Sequence, residues 1–203
     1  IGRADALMFG DPSMRNGFLA NVRFDRPADE AVDEGLSLGS LELTATDRLA
    51  LRVMRRAPDL ALRLGGASSV FNAKARGLVE SASGLCVVAA HDDAESTDVA
   101  VGRAVQRAWL ALTEEGMAAQ PMMSLPVLDN ASSQGHGPHS EPAGVEAVAA
   151  LLGEFRALVP ELGDGRPAWV MRVGFAPPPS GRTGRLPVER VTTRSAARSG
   201  GTA

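Results

Sequence analysis

Along residues 97–115 the apolar side chains Val101, Val105, Ala108 and Leu112 recur on one helical face, Ala104 and Ala111 widen it, and Gly116 stands where a C-cap belongs. A helix this long and this one-sided needs a broad apolar surface to lie on, and the pattern places it as a long buried central helix. Two runs can supply that surface. Residues 85–90 are short and β-prone, bounded by Gly84 and the pair Asp92 and Asp93, and residues 169–175 form a second strand. Pro142 opens another helix, in which Val145, Val148, Ala149, Leu152, Phe155 and Val159 keep the 3.6-residue period up to Pro160. Helices outnumber strands and do not alternate with them as βαβ units, so the fold class is α+β.

The remaining segments read less sharply. Residues 13–24 carry Met14, Phe18, Leu19 and Val22 at helical spacing behind an Asp11-Pro12-Ser13 cap, and residues 27–39 are acidic and turn-rich. Pro58 separates two short helices at 46–56 and 59–64, and Gly65-Gly66 stops the second. Residues 72–81 read as a helix. Residues 117–128 are apolar but contain Pro121 and Pro126, which favours a shaped loop or edge segment. Residues 129–140 read as a polar loop, a lid or an insertion, and 187–191 as a short strand. The length, 203 residues, suits a single domain over residues 1–192, followed by a disordered Ser/Gly/Arg tail at 193–203.

Charge and composition exclude several classes. The formal net charge of −3 gives the whole chain no electrostatic claim on nucleic acid, and no apolar run approaches the roughly 18 residues of a membrane span. One cysteine, Cys86, permits no internal disulfide, so a reducing, cytoplasmic setting is expected. His136 and His139 have no Cys, Asp or Glu in a ligand-like pattern, and no metal site is expected. His91 beside Asp92 and Asp93 reads either as a general base or as a solvated turn. Neither a Gly-x-Ser-x-Gly elbow nor a Walker loop occurs. From Arg172 onward six arginines face one acid, Glu189, a basic end that reads as an anion site or a solvated tail.

An ordered set of motifs goes further. Gly102-Arg103-Ala104-Val105-Gln106-Arg107-Ala108-Trp109-Leu110, then Gly116, then Ala119-Gln120-Pro121-Met122-Met123-Ser124-Leu125, then Arg172-Val173-Gly174-Phe175 and Arg185-Leu186-Pro187 resemble the C-terminal half of the FMN-dependent nitroreductase family. Val70-Phe71-Asn72, just before a helix, looks like that family's mid-chain Asn motif. Within the family the chain is most similar to the tandem, Acg-type nitroreductase-like proteins of actinobacteria, where two degenerate halves in one chain imitate the usual dimer. The likeness covers residues 13–191, and it is the order of the motifs that carries it. The family's Arg-x-Ser-x-Arg phosphate motif and its Ser-x-x-Asn-x-Gln-Pro-Trp segment are absent. The resemblance therefore implies the second half of a longer chain, with both motifs before Ile1.

It further implies a nitroreductase-like mixed or antiparallel sheet flanked by helices, FMN as cofactor, and hydride transfer from NAD(P)H through flavin to a quinone or nitroaromatic acceptor. No catalytic side chain is required, because the cofactor carries the chemistry. The implied cofactor-binding residues are Asn72 at the ribityl chain or ring edge, Met122, Met123 and Ser124 beside flavin N5, and Arg182 and Arg185 at the phosphate. Met123-Ser124 replaces the family's frequent Glu-Gly, which leaves a backbone role there and removes a carboxylate. Each residue also has a plainer reading: Asn72 as a helix cap, the methionines as core filling, the arginines as tail charges. The implied partner is the missing N-terminal half or a homodimer mate. Two other readings stay open, a non-catalytic flavin-binding or flavin-sequestering protein and a dimerisation half.

Overall fold

In a computed structural model the chain is described at residues 1–24, 35–38, 41, 43–57, 67–134, 142–179 and 186–192. The elements are α1 (Gly2–Gly10), α2 (Pro12–Asn21), β1 (Val22–Arg23), β2 (Leu36–Ser37), α3 (Ala45–Arg56), α4 (Ala67–Glu80), β3 (Gly84–Ala90), α5 (Glu95–Glu114), β4 (Ala118–Pro121), α6 (Ser124–Ser133), α7 (Pro142–Leu158), a 3-10 turn (Pro160–Leu162), β5 (Arg166–Gly174) and α8 (Val188–Val191). The class is α+β. Contacts divide the chain into two compact units, one of Ile1–Leu19 with Leu49–Pro178 and one of Ala20–Arg48 with Pro179–Ala203.

The larger unit is built on an antiparallel sheet of order β3-β5-β4. Val170 and Met171, neighbours on β5 that point to opposite faces, are both fully buried, so the central strand is covered on both sides. Val170 belongs to a core cluster with Leu125 and Leu128 of α6, Val148 and Leu152 of α7, and Ala4 and Ala75 of α1 and α4. On β4, an edge strand, Pro121 needs no partner for its missing N–H. Arg172 of β5 is committed within the unit, donating to Gln120 Oε1 (2.7 Å), to the Leu78 carbonyl (3.0 Å) and to Ser81 Oγ (3.3 Å). Arg166, at the start of β5, holds Asp93 at 3.0 Å and Asp98 at 3.1 Å.

Several expectations are corrected. The long helix α5 is no buried central element: only Val105 is buried, Val101, Ala108 and Leu112 are half-buried, and Val99 and Leu110 are 64% and 59% exposed. It lies on the sheet by one face and shows the other to solvent. Residues 129–133 are helical, since α6 runs through Ser133; Pro126 does not prevent this because it occupies the first turn, where an N–H has no intrahelical acceptor. Residues 188–191 form the short helix α8 and not a strand, with Pro187 at its N-cap and the Arg190 N–H donating to the Pro187 carbonyl (3.0 Å). Asn72 lies inside α4, five residues past its start at Ala67, not before a helix. The expected helix at 59–64, the segment 135–140 and the tail at 193–203 fall outside the described residues.

In the smaller unit β1 and β2 pair in parallel, Val22 with Leu36 and Arg23 with Ser37. Gly35 precedes β2 at φ +86, and a Cβ there would stand 2.2 Å from the Asn21 carbonyl oxygen, so both conformation and space demand glycine. The turn leading into α3 is closed reciprocally, Thr44 N–H donating to Asp47 Oδ2 (3.0 Å) and Asp47 N–H to Thr44 Oγ1 (3.2 Å).

Candidate functional site

A cavity of about 530 Å³ opens in the larger unit among α1, α4, α6, α7 and the start of β3. Its wall is mostly apolar, with Val79, Leu85, Leu125, Leu151 and Phe155, while Leu158 stands 80% exposed beside it. Polar groups come from Asn72 on α4 and from two ion pairs, Arg3 with Glu154 and Arg76 with Glu80 at 2.7 Å. All four charged side chains are largely exposed, so these pairs contribute little to stability and are free to exchange partners.

The placement of Asn72 follows from close packing of α1 on α4. A Cβ on Gly2 would lie 2.5 Å from Asn72 Oδ1 and 2.8 Å from the Asn72 carbonyl oxygen, so only glycine permits this approach. Across the cavity α6 begins directly after β4. The Met122 N–H donates to the Val170 carbonyl (2.8 Å), continuing the β4–β5 ladder, and its side chain is buried in the core. That amide is spent within the protein. Ser124, the first residue of α6, is buried and its hydroxyl donates to Asp5 Oδ1 of α1. Burial pushes the Asp5 carboxyl above its ordinary range, and the Ser124 hydrogen bond acts in the opposite direction. No side chain caps α6, which leaves the Ser124 and Leu125 N–H groups without intrahelical acceptors.

Among the described sequence-derived site residues only Asn72 lines this cavity; Met122 and Ser124 do not, although Leu125, next after Ser124 in the chain, does. The structure sets Met123 apart. That side chain lines a separate cavity of about 290 Å³ with Asp98, Asn130 and Arg166. Arg182 and Arg185 lie outside the described residues. Asp5, Arg3 and Glu154 escaped the sequence reading because nothing local marks them; their partners are more than a hundred residues away. Only Arg76 and Glu80 carried a signal, the i,i+4 spacing of a helical ion pair.

A volume of about 530 Å³ lies within the roughly 300–1,000 Å³ of small-molecule sites. Apolar walls including Phe155, with the Asn72 amide and two exposed ion pairs at the edge, suit a small molecule with an apolar body and a polar rim. Among the described residues no group of three or more His, Cys, Asp or Glu side chains is placed to hold a metal ion, and no helix is long and apolar enough to cross a membrane. Cys86 is half-buried, and burial pushes its thiol up, away from the reactive thiolate.

Comparison with known proteins finds a similarity to the uncharacterized protein MT1398 of Mycobacterium tuberculosis (strain CDC 1551 / Oshkosh), 29% identical over 185 residues. The match takes in 89% of this chain and 25% of that protein, so the chain spans about a quarter of the length of the curated relative it matches. No family model and no solved structure matches the chain.

Proposed function

We propose that the chain is the flavin-holding part of an FMN-dependent NAD(P)H oxidoreductase of nitroreductase type, working in the cytoplasm on a quinone or nitroaromatic acceptor. The observation that carries this reading is the convergence of Asn72 and the α6 opening turn on one apolar cavity of ligand size. Asn72 and Leu125, which adjoins the Met122-Met123-Ser124 segment likened to the loop beside flavin N5, line the same space.

FMN, when bound, supplies the redox chemistry, accepting hydride from NAD(P)H and delivering electrons to the acceptor. The chain's own residues bind and orient. The Asn72 amide offers a donor and an acceptor to a polar ring edge or ribityl hydroxyl. The Ser124 and Leu125 N–H groups offer backbone donors at a helix N-terminus, where the dipole favours negative charge. The Met122 N–H has no such role, being held by Val170. Leu125, Leu151 and Phe155 exclude water from one side of the cavity. Arg182 and Arg185 supply permanent, planar cations for the phosphate.

A second reading, a half that needs a docking partner, is favoured by the exposed Val99 and Leu110 of α5. In this reading the missing half or a second copy covers that face.

Visible spectra of this chain and of its longer parent, before and after anaerobic NADPH, test the proposal. A yellow protein that bleaches is expected. Yellow without bleaching turns the reading to sequestration, and a colourless parent rejects flavin altogether.

A further inference from the structure

We infer that Asp5 is a positioning residue for the cavity, its carboxylate holding the opening turn of α6 against α1 through the Ser124 hydroxyl. The pair joins residues 119 apart in the chain, and Ser124 is only 8% exposed. A buried hydroxyl and a half-buried carboxylate are costly unless they bond each other, so their pairing fixes where α6 starts relative to α1. Leu125, next in the chain, forms cavity wall, and in the same first turn of α1 as Asp5, Gly2 is seated on Asn72. The first turn of α1 is therefore fixed twice beside the cavity, by a polar tie at Asp5 to α6 and a close backbone approach at Gly2 to α4. The other tie that α1 makes across the cavity mouth, Arg3 with Glu154, is exposed and cannot fix position in the same way.

The consequence for flavin rests on the function proposed above; the consequence for α6 does not. Amide hydrogen exchange read residue by residue separates the two. In Asp5→Ala the amides of the first full turn of α6, Val127 and Leu128, exchange roughly 10-fold faster, the factor expected from losing one part-buried charge-assisted bond, while the β5 amides keep their protection. Asp5→Asn, which keeps an acceptor for the Ser124 hydroxyl, restores most of the protection. Ser124→Ala reproduces the Asp5→Ala pattern and serves as the second variant should Asp5→Ala not fold. The same order of variants is expected in FMN affinity measured by fluorescence quenching. Unchanged α6 exchange in both alanine variants, or equal acceleration across β5, overturns the positioning role whatever flavin does. The α6 effect in the alanine variants, together with a wild-type chain that binds no FMN, keeps the positioning role and overturns the flavin reading alone.

Discussion

Asp11 shows how a single side chain starts an element. Its Oδ1 accepts the Ser13 N–H at 2.7 Å and the Met14 N–H at 3.0 Å, satisfying two of the donors that the first turn of α2 leaves open. Asp11→Ala is expected to cost about 0.5–2 kcal/mol in urea unfolding, and Asp11→Ser to recover most of it. This cap was legible because Asp-Pro-Ser before an apolar period is local information. Pro126 was not, since a proline forbidden in a helix interior is accepted in the first turn, and sequence alone does not say which turn it occupies. Asp5 adds a pH dependence of definite sign. Its folded-state pKa is raised, by burial first, so the folded chain holds that proton more tightly than the unfolded chain does. The stability this proton gives is complete below the unfolded value near 3.8 and is lost as pH rises from there through the folded pKa. The unfolding free energy of the wild type minus that of Asp5→Asn should therefore fall across that interval and then level off; a difference that rises with pH would contradict the assignment.

Among the elements, α5 and α6 separate what a hydrophobic period can reveal from what it cannot. The period placed α5 within two residues of its true ends, at Glu95 and Glu114, and identified the face carrying Val105. It could not say that nothing in the described chain covers the face carrying Val99 and Leu110, because a one-sided pattern is the same for a surface helix and for one side of a central helix. Leu110→Ser should accordingly change the stability of the isolated chain by no more than about 0.5 kcal/mol. Leu128→Ala, which empties a fully buried position of α6 in the core, should cost about 2–5 kcal/mol. Equal losses for the two in denaturant titrations would mean that α5 is buried after all. The strands β1 and β2, two residues each, were invisible for a plain reason: two residues hold no alternation. Helix α1 was missed as well, although Ala4 and Phe9 are buried. Its role depends on Gly2 against Asn72 and Asp5 against Ser124, contacts that only the folded chain creates.

Across the whole molecule charge is the one long-range feature that composition reveals unaided. The residues from Arg172 onward carry six arginines against Glu189, a net +5 within a chain whose formal total is −3. Arg172 is not part of any free reserve, since it is tied to Gln120, Leu78 and Ser81 within its unit. Farther along, Arg185 stands in the Arg-Leu-Pro motif that the resemblance ties to the FMN phosphate. A phosphate dianion against a permanent planar cation is a charge-assisted contact worth roughly 1.5–3 kcal/mol. On the proposed function, Arg185→Ala should thus weaken FMN binding roughly 10-fold to 150-fold at about 1.4 kcal/mol per decade. Riboflavin, which has no phosphate, should bind both proteins alike. Arg198→Ala, outside every motif that carries the resemblance, should leave both ligands unaffected. Fluorescence titration of the three proteins with the two flavins decides between a specific clamp and diffuse attraction. Loss of FMN affinity at Arg185 alone assigns the clamp. Small, equal losses at both arginines that vanish at high salt would mean that the basic end acts only as a screened field, with no residue of it in the site.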